Sequence, residues 1–567
     1  MQPSSESGVQ RQLEAVSLPA SLAAEHVSLR QTLATMSGLL LVLFLTTLDQ
    51  TIVATALPRI GADLGGFATI PWITTGYLLA STVTIPIYGK LSDLMGRKPI
   101  LLASIGLFLI GSALSGLAQS LPQLIAFRTL QGLGAGGLQP VVSAAVGDLF
   151  APRERGKWMG ITGGMYALGS IIGPLAGGWL TDRFAWRWIF LLNVPVGLAA
   201  LLVLVMMMPR LKPPARTVSI DYAGVLLLAL GTVPLLLAFS WAGNQYPWLS
   251  PQIIGLLSVG LLFLCLLMIY ARYQEQRERE PIVEPSLFAA SWRVFGIASL
   301  VTFTLNMALL GSAYFIPLFA QGVIGISATS SGLITIPLAL TAIGGAVLSG
   351  LLLSWTGRYL WLALGGALCA LAGSLCLLGL SAASHWSDLL IAMLVLGFGM
   401  GTGQAIYTTI VQNALPQKLG QATAALAFFR QLGGTLSIAI LGGVLAASYT
   451  PALQAALPAA LRSHLPASAS VIFTNPLVLL SSGNTLTRLK ADLPSIGPQG
   501  AAAYQALVQA VRQALAASLH QAFLISFVLS ALTLIAVCFL QELPLRSKGV
   551  PASGAGGGQM SETEPER

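Results

Sequence analysis

The stretch from Gly89 to Lys98 reads G-K-L-S-D-L-M-G-R-K and lies between apolar runs at 70–88 and 100–119. Each run is long enough to cross a bilayer, which takes about 20 residues. The stretch is therefore predicted to be a tight turn between two membrane helices. Gly89 and Gly96 allow such a turn close to neighbouring helices, because glycine has no Cβ.

The charged residues of this turn predict its orientation and contacts. Lys90, Arg97 and Lys98 predict a cytoplasmic location, because cytoplasmic loops are enriched in lysine and arginine. Asp93 is placed either to approach the positive N-terminus of a neighbouring helix or to pair with an arginine. By composition alone, an ordinary basic loop is the competing interpretation.

Composition assigns the whole chain to the same class. Of the 567 residues, 55% are hydrophobic and only 9% are charged, whereas soluble domains have about 25% charged residues. The mean hydropathy of +0.79 likewise indicates a polytopic membrane protein. We attribute the net charge of +9 to basic cytoplasmic loops rather than to nucleic-acid binding.

No chemistry-bearing cluster is evident in the sequence. The four cysteines all lie in apolar runs, without the spacing of a disulfide framework or a metal site. We find no phosphate-binding loop and no nucleophile triad, so we predict no cofactor, no metal and no enzymatic activity.

Hydropathy predicts an all-α integral membrane protein with fourteen spans. Most lysines and arginines fall in loops on the N-terminal side of this layout, which predicts that both termini are cytoplasmic. The predicted spans are 36–57, 70–88, 100–119, 122–146, 158–180, 186–207, 221–241, 251–270, 294–319, 328–353, 359–380, 388–412, 422–447 and 520–541.

An internal repeat relates spans 1–6 to spans 9–14. Several patterns recur at offsets of 261 to 265 residues, and two six-helix halves with a site between them are a transporter architecture. The paired residues include Gly89 and Gly350, Gly96 and Gly357, Arg97 and Arg358, Gly156 and Gly420, and Gly169 and Gly433.

The repeat predicts a division of the chain into five parts. The predicted parts are an N-terminal cytoplasmic tail at 1–35, a six-helix half at 36–207, two inserted helices at 221–270, a second six-helix half at 291–541 and a disordered cytoplasmic tail at 545–567. Residues 448–519 are predicted to be an extracytoplasmic loop. The end of that loop, at 500–519, has helical apolar spacing and is predicted to extend the last span.

Two opposite charges inside the first half are the strongest functional candidates. Asp49 in span 1 and Arg128 in span 4 lie at similar predicted depths, and ionisable residues inside membranes usually serve a function. If they lie close together, the arginine favours an ionised aspartate while burial favours the protonated form, which suits proton coupling. For Asp49 the alternative is a structural ion pair or a hydrogen-bonded helix contact. For Arg128 the alternative is a snorkelling or structural arginine.

Span 5 contains Gly169, Gly173, Pro174 and Gly177, which predict close helix packing and a bend. The pattern resembles G-x-x-x-G-P-x-x-G-G, a motif of major facilitator antiporters. The turn at Gly89 to Lys98 resembles the loop between helices 2 and 3 of that superfamily. Two further patterns strengthen the resemblance, R-x-x-Q-G-x-G-A from Arg128 and L-D-x-T-I-V-x-x-A-L-P around Asp49.

Together these motifs resemble the fourteen-helix drug:proton antiporter branch of the major facilitator superfamily, of the EmrB/QacA type. The resemblance implies that Asp93 and Arg97 hold the cytoplasmic face shut, with Asp148 as a partner of Arg97. The second half departs from the pattern, since Ser354 stands where Asp93 stands in the first. The loop 448–519 is longer than in adaptor-dependent members, so whether it binds an extracytoplasmic partner stays open.

Further polar and aromatic side chains are weaker candidates for a substrate cavity, and ordinary helix–helix hydrogen bonds explain them equally well. Arg430 is either a substrate or lipid-headgroup contact or a structural residue. The cavity candidates are Gln131, Asn306, Tyr314, Gln404, Tyr407 and Arg430.

The sequence thus predicts a proton-coupled multidrug exporter of small amphipathic or cationic lipophilic compounds in a bacterial-type plasma membrane. It would work by alternating access, with the lipid bilayer, protons and substrates as its partners and no nucleic acid. Two alternatives remain open: a dedicated exporter of a lipid, siderophore or other metabolite, and a non-transporting membrane sensor.

Overall fold

The computed structural model describes residues 28–64, 72–209, 221–277, 279, 281–325, 336–458 and 500–545, apart from residue 244. Long helices dominate this part of the chain. They are α1 (Leu29–Leu64), α2 (Trp72–Met95), α3 (Arg97–Gly116), α4 (Leu121–Leu149), α5 (Pro152–Arg183), α6 (Trp188–Leu191), α7 (Asn193–Met207), α8 (Tyr222–Trp241), α9 (Pro251–Gln276), α10 (Pro285–Ala290), α11 (Ile297–Phe319), α12 (Ile336–Thr356), α13 (Leu360–Leu378), α14 (Trp386–Ala414), α15 (Leu419–Ala456) and α16 (Gly500–Cys538). Short π-helical segments, Trp292–Gly296 and Ala320–Ile324, flank α11.

The all-helical membrane fold is confirmed. Twelve helical stretches in the described residues are long and apolar enough to cross a bilayer. The other two predicted spans correspond to α2 and α4, which are helices of 24 and 29 residues. Their polar side chains and small residues account for the lower hydropathy. Both helices can carry such residues because they lie among other helices.

Several helix boundaries differ from the prediction. The stretch 89–98, predicted as a turn, is helical as far as Met95 and again from Arg97, so the turn is confined to Gly96.

Helix α1 begins at Leu29, seven residues earlier than expected, because the Ser28 hydroxyl accepts a hydrogen bond from the Gln31 amide and caps the helix. Helix α15 continues to Ala456, so the predicted loop 448–519 is helical at its start.

Helix α16 begins at Gly500, as the apolar spacing at the end of that loop predicts. Leu453 of α15 and Leu457, which follows that helix, belong to the same apolar cluster as Leu507 and Val511 of α16, which explains why both helices extend. The predictions for 1–27, for 459–499 and for the tail after 545 lie outside the described residues.

We call 36–207 the first half and 291–541 the second half. The apolar core is divided in the same way: one large cluster lies in the second half and two lie almost entirely in the first. The halves meet mainly where α2 packs against α15, which we call the first seam, and where α5 packs against α12, which we call the second seam. The repeat exchanges these two seams, because it maps α2 onto α12 and α5 onto α15.

The inserted helices α8 and α9 pack against each other, and α8 also contacts α2 and α15. They therefore cover the outside of the first seam. Much of their apolar surface is exposed, including Leu226, Leu261 and Ile269, as expected for side chains that face lipid. The membrane face that carries Gly89 to Lys98 is called the motif face below.

Candidate functional site

A buried polar cluster in the first half surrounds Asp49. The Arg128 guanidinium donates to Asp49 Oδ2 at 2.8 Å, and Gln131 Nε2 donates to Asp49 Oδ1 at 2.9 Å. Asn193 Nδ2 also donates to Asp49 Oδ1, at 2.8 Å. Asp49 is fully buried and Arg128 is 1% exposed. The predicted proximity of the two charges is therefore present, and the carboxylate is satisfied by three donors.

The surroundings of Arg128 complete this cluster. The same guanidinium nitrogen donates to Gln131 Oε1 at 2.8 Å, and the Tyr77 ring lies 4.2 Å from the guanidinium carbon. Ser112 accepts a hydrogen bond from Asn193 at 3.0 Å. The cluster thus joins spans 1, 2, 3, 4 and 6. Gln131, a predicted cavity residue, belongs to this enclosed cluster and is not among the residues that line the central cavity described below.

The glycines of α5 fix the helix that carries Asp49. A Cβ at Gly169 would lie 2.8 Å from the Thr47 Cβ, and Cβ atoms at Gly173 and Gly177 would overlap the hydroxyls of Thr51 and Thr55. Glycine and threonine thus alternate at four-residue intervals along the contact between α5 and α1. The predicted close packing is present, and it spans the level of Asp49.

On the motif face, Asp93 makes both contacts considered from the sequence. Its Oδ1 lies 2.6 Å from Arg97 NH1 and accepts a hydrogen bond from the Gly420 amide at 2.9 Å. Its Oδ2 accepts from the Gln421 amide at 2.8 Å. Because α15 begins at Leu419, these amides belong to its first turn, where the helix dipole favours a negative charge. Asp93 therefore links the first half to the N-terminus of α15.

Arg97 lies between two carboxylates of the first half. Its Nε donates to Asp148 Oδ2 at 2.7 Å, and NH1 donates to Ser92 Oγ at 2.8 Å. The predicted contact with Asp148 is thus present. Gly96, which precedes α3, has a φ of 92°, which confirms that this turn needs glycine. Gly357, its repeat partner, has a φ of 68°.

Glu284 was not predicted as a site residue, and it joins three parts of the chain. It lies between α9 and α10 and is 4% exposed. Its Oε1 accepts from Lys90 Nζ at 2.9 Å and from Gln421 Nε2 at 3.1 Å, and its other oxygen pairs with Lys418. Burial raises the pKa of Glu284, but the hydrogen bonds from Lys418 and Lys90 outweigh burial and hold the pKa below its ordinary value.

The two seams share a glycine contact. A Cβ at Gly89 would lie 2.8 Å from the Gly420 carbonyl oxygen, and a Cβ at Gly350 would overlap the Gly156 carbonyl oxygen. Gly89 corresponds to Gly350 and Gly420 corresponds to Gly156 in the repeat, so these are two copies of one contact. Both lie near the motif face, where the two halves are held together.

A narrow cavity lies at the boundary of the halves, further from the motif face than these contacts. Only about 20 Å³ inside it can be occupied by the centre of a water molecule, so in this arrangement the cavity has room for about one water. Gln412 Nε2 donates to the Ser143 carbonyl at 2.8 Å and bridges the halves beside the cavity. The lining residues are Leu43, Gln139, Ser143, Met159, Thr162, Gly163, Tyr166, Gln404, Thr408 and Arg430.

Two of the six predicted cavity residues, Gln404 and Arg430, line this cavity, and the others do not. Asn306 donates to the Thr302 carbonyl of its own helix, Tyr407 is 2% exposed, and Tyr314 is 61% exposed and packs edge-on against Phe315. For these three residues, packing and local hydrogen bonds replace the predicted contact with the cavity, as the competing interpretation allowed.

Comparison with known proteins places the chain among membrane transporters. Residues 39–438 match the family model described as Major Facilitator Superfamily. Multidrug transporter protein MdtP of Bacillus subtilis is 35% identical over 522 residues, covering 90% of this chain and 93% of that protein. Multidrug resistance protein 3 of the same species is 32% identical over 511 residues, covering 90% of this chain and 95% of its own length.

A solved structure supports the fold independently. The proton:xylose symporter XylE matches with a TM-score of 0.55 at 14% identity, covering 90% of this chain and 96% of the symporter chain. At that identity the likeness concerns the fold alone.

Proposed function

Since the chain belongs to the Major Facilitator Superfamily and is a membrane transporter rather than an enzyme, we propose that it is a proton-coupled exporter of small amphipathic compounds. The motif face would be cytoplasmic, with both termini on that side of a bacterial-type plasma membrane. The names of the two Bacillus relatives support efflux of several compounds. The observation that carries proton coupling is the enclosed contact between Asp49 and Arg128.

The proposed mechanism starts from the arrangement seen here. The halves are held together at the motif face and Asp49 is paired with Arg128 at 2.8 Å. Three donors surround the fully buried carboxylate. Protonation of Asp49 would remove the charge that holds Arg128 and free α4 from α1. The two halves, 36–207 and 291–541, would then rock about the two seams. This motion would open the cavity toward the motif face.

The charged motif face supplies the second part of the proposal. Asp93 connects the first half to α15 through two backbone amides, and Arg97 holds Asp93 and Asp148 in place. These contacts must break when the cavity opens to the motif face. They would therefore stabilise the arrangement in which that face is closed and return the transporter to it after each cycle.

The test is gradient-driven transport in proteoliposomes. Wild type should move ethidium or a dansylated amphiphile only when a proton gradient is imposed, and Asp49→Asn should abolish gradient dependence. Asn193→Ala is the matched control, because it removes one hydrogen bond to Asp49 and leaves the titratable group. Equal transport by wild type and Asp49→Asn would contradict the assignment of Asp49.

Absence of transport for every probe, with correctly folded protein, would favour the dedicated exporter or the sensor. In that case candidate metabolites and lipids replace the dyes in the same assay. The extracytoplasmic segment 448–519 would then be the first region to test for a binding partner.

A further inference from the structure

Charged side chains away from the span ends are few in the described part of the chain. Asp49, Arg128 and Arg430 are among them. Asp49 and Arg128 neutralise each other inside the first half, and neither lines the central cavity. The charge that the cavity presents to a ligand therefore comes from Arg430.

Arg430 lacks a counter-charge. In the described residues it makes no hydrogen bond, ion pair or ring contact, although arginine carries five N–H donors. Its surroundings are hydroxyl and amide groups from both halves, namely Tyr166, Gln139, Gln404 and Thr408. A charge removed from water is costly unless it is paired. An unpaired cation at this half-buried position favours an anionic partner over a cationic one.

The first half has no cation at the position that corresponds to Arg430 in the repeat. That position is occupied by Tyr166. The side chains of Tyr166 and Arg430 both line the cavity, one from each half. No carboxylate lines the cavity among the described residues. Both faces of the cavity can therefore donate hydrogen bonds to an acidic group, and neither offers a charge that would hold a cation.

We propose that Arg430 binds the acidic group of an amphipathic organic anion, with Tyr166 facing that group from the first half. The apolar part would lie against Leu43 and Met159, which line the same cavity. This inference rests on the proposed export function and narrows its substrates to anions, in contrast to the cations expected from the sequence. Arginine suits the role because its planar fork matches two oxygens of a sulfonate or carboxylate.

The test compares two probes that differ only in charge. Both carry the same dansylated C11 chain, ended by a sulfonate in one and by trimethylammonium in the other. A sulfonate is chosen because a carboxylic acid crosses bilayers unaided in its neutral form. Binding to purified protein in phosphatidylcholine nanodiscs is measured by dansyl fluorescence. Wild type should bind the sulfonate about tenfold or more tightly than the ammonium, the effect of a charge-assisted hydrogen bond.

Three variants locate the preference. Arg430→Gln should abolish it and Arg430→Lys should keep part of it. Tyr166→Phe should weaken sulfonate binding less than fivefold, leave ammonium binding unchanged and so reduce the preference without abolishing it. The melting temperature of Arg430→Gln should not fall, because the substitution removes no hydrogen bond or ion pair to the described residues. Equal binding of the two probes by wild type, or an unchanged preference in Arg430→Gln, would overturn the proposal.

The anion has two sources, a free amphiphile or a phospholipid headgroup, and lipid composition distinguishes them. Adding phosphatidylglycerol should leave sulfonate affinity unchanged if free amphiphiles are the ligands. A loss of affinity in wild type but not in Arg430→Gln would assign the same site to the headgroup. Failure of the export proposal looks different, since neither probe would follow a proton gradient although the binding preference persisted. Gradient-driven transport without any charge preference would refute only the anion assignment.

Discussion

The first and second seams have the same packing and different electrostatics. In each, a glycine of one half lies against the backbone of a glycine of the other, Gly89 on Gly420 and Gly350 on Gly156. Among the described contacts, charged groups bridge the first seam, where Asp93 binds the N-terminus of α15 and Glu284 binds Lys90 and Lys418. In the second seam Ser354 occupies the place of Asp93 and donates to the Leu351 carbonyl of its own helix.

This difference indicates a division of labour between the seams. Backbone contact at glycines lets the halves slide or rock at both places, and it does not depend on pH or salt. The charged contacts described for the first seam resist opening there. We therefore expect the first seam to set how much of the transporter is closed at the motif face, with the second acting as its hinge.

Glu284→Gln should have the largest effect on this asymmetry. Removing the charge should destabilise the closed motif face by about 3 kcal/mol, the lower range for breaking a buried ion pair. Electron paramagnetic resonance distances between spin labels at Lys157 and Gln417, in a cysteine-free background, measure the open and closed populations. Ser354→Ala is the control, and the same opening in both variants would contradict a special role for the first seam.

Closure should also depend on pH through Glu284. Its pKa lies below the ordinary value of 4.5 when the face is closed. A carboxyl whose pKa is lowered stabilises the closed form above its ordinary pKa and loses that contribution as pH falls through the lowered pKa. The label distances should stay constant from pH 7 to about 5 and lengthen at lower pH, and Glu284→Gln should remove this component. An onset near pH 6.5 would instead implicate a histidine.

Gly89→Val should have the next largest effect on the closed motif face. The corresponding substitution in the second seam should have an effect of about the same size. In Gly89→Val the new side chain would meet Ala424 and the Gly420 carbonyl, so we expect about 2 kcal/mol of destabilisation of the closed face. Gly350→Val should act similarly because it meets Gly156. Gly344→Val is the control, since a Cβ there has no neighbour within 4 Å. Label distances and melting temperatures report both effects, and tolerance of valine at either seam would argue against the shared contact.

Asp93→Asn should open the motif face by about 1–2 kcal/mol, because charge-assisted hydrogen bonds to Arg97 and to the α15 amides become neutral. Asp148→Asn is a useful comparison, since Asp148 contacts Arg97 without reaching the second half through any contact described here. It should open the face less than Asp93→Asn does. The reverse order in the label distances would mean that Arg97, rather than the helix N-terminus, carries the effect.

Ser354→Asp should have the smallest effect, and in the opposite direction. It restores an acid opposite the start of α5 and should favour the closed face by about 0.5 kcal/mol, the size of a helix-dipole interaction. The negative charge of Glu154, in the first turn of α5, repels the new aspartate and limits this effect. Ser354→Asn controls for size. A stabilisation as large as the loss in Asp93→Asn would show that the charge is transferable between the seams.

The fold and half of the site follow from sequence because they rest on local patterns. Span number, the glycine turn and the placement of Asp93 and Arg97 come from hydropathy and motif spacing within a few residues. The meeting of Asp49 with Arg128 follows from equal depth on spans 1 and 4. Glu284 could not be found in this way, because it lies in an irregular connection and meets Lys418 only through tertiary packing. Asn193 was also missed, although an asparagine inside an apolar span is a usable signal, because only tertiary packing brings it to Asp49.

The complete enclosure of Asp49 also bears on energy conservation. A carboxyl group with no exposed surface cannot exchange protons with either side of the membrane while its neighbours stay in place. An idle transporter in this arrangement would not leak protons, and the membrane would keep its gradient until a conformational change opened a path. The glycine and threonine contacts between α5 and α1 maintain this seal, because they leave no gap along the helix that carries the carboxyl group. Tight helix packing would then serve cell energetics as well as stability.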